Sequence, residues 1–213
     1  MGHVVLLGDS VFDNGAYVAP REPDVVQQLR DALPGGWRAS LAAVDGAVTG
    51  SVPGQLGRLP PDATHLVVSV GGNDALQRQD VLERRVRSVA EALVELGDVR
   101  DAFARDYRVM LDAVLGRGLP TAVCTIYDPR FPDPMLQRVA VAALAMFNDV
   151  ITREAFRRRL PLVDLRLVCS DDEHYANPIE PSARGGARIA AGIAELVTGH
   201  DFARRRAEVF ARD

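Results

Sequence analysis

Short apolar runs recur along the chain, separated by longer stretches in which apolar residues return every three or four positions. The runs cover residues 4–7, 39–44, 65–70, 121–126 and 162–165. They are short and rich in Val and Leu, the pattern of strands covered on both faces. Helical periodicity marks residues 24–33, 81–115, 134–158 and 182–197. A break is expected near Gly97, since glycine disfavours a helix interior. Strands alternating with crossovers of this length predict a parallel five-stranded sheet with helices on both faces, a three-layer α/β/α sandwich. No repeat or composition shift divides residues 1–213, so one domain is expected. Residues 202–210 suggest an extra amphipathic helix, an appendage over about 201–212, with packing on the domain or dimerisation both open.

Composition narrows the chemistry. The net charge is −4, which argues against broad binding to nucleic acid or anionic membranes. All 25 Lys+Arg positions are arginine. Arginine stays protonated, so Schiff-base chemistry and a Walker-A lysine are excluded. The arginine runs at residues 84–85, 157–159 and 204–206 lie in helical patterns and are expected to be solvated or paired with acids. Two cysteines, Cys124 and Cys169, make no disulfide framework, and a reduced compartment is expected. Residues 1–3 run straight into the first strand without a basic leader, and the longest apolar stretch, residues 139–147, belongs to an amphipathic helix. A cytoplasmic protein with no membrane association is expected.

In an open α/β sheet, ligands bind outside the carboxyl ends of the strands. Three tips there carry small residues and one side chain able to do chemistry. They are Gly8-Asp9-Ser10, Asp45-Gly46 running on to Thr49-Gly50-Ser51, and Gly71-Gly72-Asn73-Asp74. A serine at a strand-to-helix junction lies near free N–H groups that can hold a developing oxyanion. Taken singly, Ser10 is as well explained as a helix cap and Asn73 as a turn residue.

Together these segments resemble the SGNH (GDSL-type) hydrolases. Gly8-Asp9-Ser10 is similar to that family's nucleophile block, residues 44–50 to its second block, and Gly71-Gly72-Asn73-Asp74 to its third. Residues 180–185, Glu-Pro-Ser-Ala-Arg-Gly, are similar to its fifth. The resemblance spans residues 4 to about 197. It implies a flavodoxin-like fold and a lipase-like serine esterase acting on a small-molecule ester. Ser10 would be the nucleophile, with the Ser10 N–H, the Gly50 N–H and the Asn73 amide as the oxyanion hole. It calls for no metal or organic cofactor. The short strand-tip loops suggest a small acyl or acetyl group.

The fifth block of the family reads Asp-x-x-His-Pro, whereas this chain has Asn177-Pro178-Ile179-Glu180-Pro181. Glu180 therefore occupies the base position, and neutral Asn177, the aspartate's counterpart, is placed to hydrogen-bond its carboxylate. A glutamate serves well as a base only if burial lifts its pKa toward about 6–7. Of the four histidines, His3, His65 and His200 fall at the amino ends of the strands. His174 alone falls on the side of Ser10, in an acidic run expected to raise its pKa. It is the second candidate base, or else an exposed loop residue. Asp13, Asn14, Tyr17 and Arg130 fall on the same rim. The alternative function is a family member that kept the pocket but lost turnover and binds an acylated or carbohydrate ligand.

Overall fold

The computed structural model describes residues 1–211. The elements run β1 (His3–Gly8), α1 (Val25–Ala32), β2 (Arg38–Leu41), α2 (Val52–Gln55), β3 (His65–Ser69), α3 (Gly72–Leu76) and α4 (Val89–Leu115). They continue with β4 (Thr121–Cys124), α5 (Pro134–Arg158), β5 (Leu162–Val163), α6 (Leu165–Val168), β6 (Tyr175–Asn177), β7 (Glu180–Pro181), α7 (Ala183–Gly199) and β8 (Val209–Phe210). β2, β1, β3, β4, β5 and β8 form one parallel sheet in that order, while β6 and β7 make a small antiparallel ribbon.

Side chains alternate across a strand, so β1 feeds two cores. Val4 and Leu6 pack with Val25 and Leu29 of α1 and with Ile189 and Ile193 of α7. Val5 and Leu7 pack with Tyr107, Met110 and Leu111 of α4 and Ile151 of α5. Burial on both faces explains the unbroken apolar runs and fixes the three layers.

The sheet differs from expectation at its far edge. It has six strands instead of five, and residues 201–211 form no helix. A short 3-10 turn, Phe202–Arg204, leads into β8, which pairs with β5. The Leu162 and Asp164 N–H groups donate to the Glu208 and Phe210 carbonyls at 2.8 and 2.9 Å. Edge pairing has overridden the weak helical periodicity here.

The expected break at Gly97 is absent. Residues 79–83 form a separate 3-10 turn, and α4 starts at Val89, capped by the Ser88 side chain, and runs on through Gly97. Glycine costs a helix only about 1 kcal/mol, less than the packing of its C-terminal half supplies. That packing is uneven. The buried residues of α4 begin at Phe103, and those of α5 begin at Phe147. α5 is also, contrary to expectation, long and apolar enough by composition to cross a bilayer. Its C-terminal half nonetheless lies in the core beside the sheet.

Candidate functional site

β1 stops at Gly8 because its backbone turns into a conformation closed to other residues. Its φ is +129°, and a Cβ there would lie 1.7 Å from the Ser69 carbonyl oxygen. The buried Gln55 amide clamps the same residue, accepting from the Gly8 N–H at 2.8 Å and donating to its carbonyl at 2.7 Å. The next two residues are thereby held at the strand tip. Asp9 is buried, its carboxylate accepts from the Val11 N–H at 3.2 Å, and burial pushes its carboxyl up to about 8. Ser10 is buried beside it and donates from Oγ to Glu180 Oε1 at 3.0 Å.

Glu180 reaches Ser10 from β7. The Asn177 side chain accepts from the Ile179 and Glu180 N–H groups at 3.0 and 3.1 Å, forming the tight turn between β6 and β7. Asn177 thus positions the Glu180 backbone and not, as expected, its carboxylate. The Tyr127 hydroxyl donates to the Ile179 carbonyl at 2.6 Å, and the Asn14 amide donates to that of Pro181 at 3.3 Å. Glu180 Oε2 is buried with no hydrogen-bond partner. Burial, with a lesser push from Asp45, lifts the carboxyl to about 7, although the Ser10 bond opposes the shift. A carboxylate that titrates near neutrality and accepts from a serine hydroxyl is equipped to take that proton.

The second and third tips are tied together. Asn73 Nδ2 donates to the Ala47 carbonyl at 3.0 Å, and the Asp74 carboxylate accepts from the Thr49 N–H at 2.9 Å. A primary amide has two N–H donors, so Asn73 keeps a second one. Gly50 is exposed in the 3-10 turn Thr49–Ser51, which these bonds anchor through the buried Thr49. Ser10, Asn73 and Glu180 line one cavity of about 540 Å³. Gly50 and His174 do not line it. Among the described residues, no group of three or more His, Cys, Asp or Glu side chains is placed to hold a metal ion.

A family model described as the GDSL-like lipase/acylhydrolase family matches residues 6–188. The chain belongs to that family. No curated protein matches the sequence. Among solved structures, this chain is similar to an extracellular lipase from Streptomyces rimosus. The TM-score is 0.67 at 17% identity, over 94% of this chain and 100% of the lipase. A phospholipase A1 from Streptomyces albidoflavus gives 0.63 at 18% identity, over 94% and 99% of the two chains. A lipase/acylhydrolase from Enterococcus faecalis gives 0.61 at 18%, over 93% and 96%. At such identities the likeness speaks for the fold.

Within this GDSL-like chain His174 is neither exposed nor raised in pKa. It is buried in a 3-10 turn, and Nδ1 accepts from the Asp171 N–H at 3.2 Å. Its carbonyl accepts from the Ser182 N–H at 2.9 Å and lies where a Cβ on Gly185 would come within 2.1 Å of it. Burial, then Arg188, lowers its pKa, outweighing Asp171 and Glu173. The imidazole closes the loop on itself, while the His174 carbonyl ties it to the start of α7. Arg130 is likewise engaged, 3.2 Å from Asp172 and stacked 5.2 Å over the Tyr175 ring. Asn14 is fully buried and also accepts from the Val25 N–H, while Tyr17 donates to Asp45 at 2.8 Å and Asp13 accepts from the Asp45 N–H at 2.9 Å.

Two residues that sequence reasoning missed support the site from behind. Gln55 holds Gly8, and Asn148 does the same for Ile126 beyond β4, with two bonds of 2.8 Å to its N–H and carbonyl. Both amides stand in for a strand partner at the point where the sheet opens. Their only sequence signal is an uncharged amide at a helix position beside a large apolar residue, Leu56 for Gln55 and Phe147 for Asn148.

Proposed function

We propose that this family member is a serine ester hydrolase in which Glu180 acts as the general base in place of histidine. Ser10 Oγ attacks the ester carbonyl as its proton passes to Glu180 Oε1. The carbonyl oxygen becomes an oxyanion held by the Ser10 N–H and the second Asn73 N–H; Gly50, expected as a third donor, does not line the cavity. Collapse returns the proton to the departing alkoxide and leaves an acyl group on Ser10. Glu180 then takes a proton from water, whose oxygen attacks the acyl carbonyl, and the Ser10 oxygen leaves with that proton. The observation that carries this reading is the 3.0 Å Ser10–Glu180 hydrogen bond inside the cavity. It is supported by a base pKa lifted to about 7, where general-base catalysis is efficient.

Purified protein assayed on activated acyl esters tests it. Wild-type hydrolysis is expected, with a loss of ~1,000-fold or more in Ser10→Ala. Glu180→Gln is expected to lose ~100- to 10,000-fold, the worth of a general base, while His174→Ala keeps turnover in the fraction that folds. The kcat/KM of the wild type should rise with pH through about 7, since the ionised form of Glu180 is the active one. Activity that survives Ser10→Ala sinks the proposal. No turnover and no fluorophosphonate adduct on Ser10 at any pH would favour a binding protein that has lost catalysis.

A further inference from the structure

The cavity beside Ser10 is far larger than an acetyl group requires, and beyond the strand tips that hold Ser10 and Asn73 its walls come from helices. One side is built by Leu76, Leu82 and Leu96, the other by Leu136, Val139 and Leu144. These residues belong to α3, the 3-10 turn at 79–83, and the N-terminal halves of α4 and α5. Neither half contains a buried residue. The most apolar stretch of α5 has a mean hydropathy of 1.3, yet only 22% of it is buried. Asp9 and Glu180 are the buried charges of the lining, while Arg78, Glu83 and Asp133 are exposed.

Resting on the hydrolase reading above, we infer that this groove takes the long unbranched aliphatic arm of the ester. Apolar walls without convergent donors and acceptors leave sugar hydroxyls unpaired, which is costly, whereas they gain from every methylene removed from water. Met135 and Met146 in the lining add flexible, polarisable surface that follows an aliphatic chain through many shapes. A methylene fills about as much space as a water's ~30 Å³ share of the liquid. At that share, 540 Å³ has room for roughly eighteen carbons at most. The expectation of a small acyl group rested on loop length, which does not set the size of this cavity.

Uncharged, uncleavable methyl n-alkyl ketones, from methyl ethyl to methyl decyl ketone, separate this inference from the hydrolase reading. Calorimetric titration of the wild-type protein should show affinity rising ~3- to 4-fold per methylene, the equivalent of ~0.8 kcal/mol, up to the filled length. Ala143→Phe, which places a ring in the groove, should end the rise at a shorter chain. The wild-type series stands alone if that variant misfolds. Esters lengthened on the acyl or the alcohol side should show the same trend in kcat/KM on whichever side occupies the groove. Length-dependent ketone binding without ester turnover would fail the hydrolase reading and leave the groove standing. Ester turnover with ketone affinity flat along the series would overturn the groove alone. Self-association of the protein that competes with the ketones would also overturn it, because a second copy would then be the occupant.

Discussion

The two halves of the long helices α4 and α5 are built from similar residues and do different work. Beyond Phe103 and Phe147 both helices lie on the sheet, where Tyr107, Met110, Leu111 and Ile151 are fully or almost fully buried. Ahead of those points the same two helices leave Val89, Leu93, Val94, Met135 and Leu136 exposed and flank the cavity that begins at Ser10. Apolar periodicity alone does not separate the halves. What separates them is whether the sheet extends underneath. The sheet ends at the strand tips, so the chemistry and the uncovered apolar walls occur at the same end of the molecule.

The largest expected break in this comparison comes from matched truncations. Ile151→Ala, at a fully buried position, should lose ~2–5 kcal/mol in urea unfolding. Leu93→Ala, at a position 62% exposed, should change stability by ~0.5 kcal/mol or less. Equal losses would mean that the open halves are packed after all. Asn148→Ala, at the junction of the two halves of α5, leaves the buried Ile126 N–H and carbonyl without their partner. It should cost ~2–3 kcal/mol and lower kcat/KM, since Ile126 lines the cavity.

A smaller effect reports on the polar end of the cavity. Folding raises the Glu180 carboxyl from 4.5 to about 7. Between those values the native state holds a proton that the unfolded chain has released, so stability falls as pH rises across that window. The penalty is absent below it and complete above it. Glu180→Gln should flatten this dependence by ~1–2 kcal/mol, discounted for the partial exposure of its surroundings. An unchanged pH profile of urea unfolding would place the titration elsewhere. The smallest change sharpens the comparison: Gly97→Ala in the open half of α4, where a Cβ meets nothing within 4 Å, should raise stability by ~0.5–1 kcal/mol. A loss there would reveal a contact that the open half is not supposed to make.

Much of this was legible in the sequence, because strands buried on both faces advertise themselves as apolar runs and their tips as small residues. Ser10 and Asn73 were placed at the right end of the sheet by topology, and Glu180 by the resemblance of its segment to the family's fifth block. The clamps at Gln55 and Asn148 were not legible, since an amide bonding a strand tip has no local spacing to betray it. Nor was the cavity. Residues 81–99 and 134–146 carry the apolar periodicity of core helices, and only the length of the strands reveals that no core lies beneath them. The tail went wrong for a similar reason: a two-residue strand is specified by the unpaired edge of β5 more than by its own residues. His174 was misjudged because its acidic neighbours are visible in sequence and its burial is not.

That tail has a consequence for anyone shortening the protein. β8 occupies the outer side of β5 through the Glu208 and Phe210 carbonyls. A chain cut before Glu208 would present the Leu162 and Asp164 N–H groups to solvent on a bare apolar strand. Such an edge recruits whichever extended segment comes first, another molecule's β5 included. Trimming the last few residues, an economical choice for crystallisation, would then trade an intramolecular plug for a sticky seam.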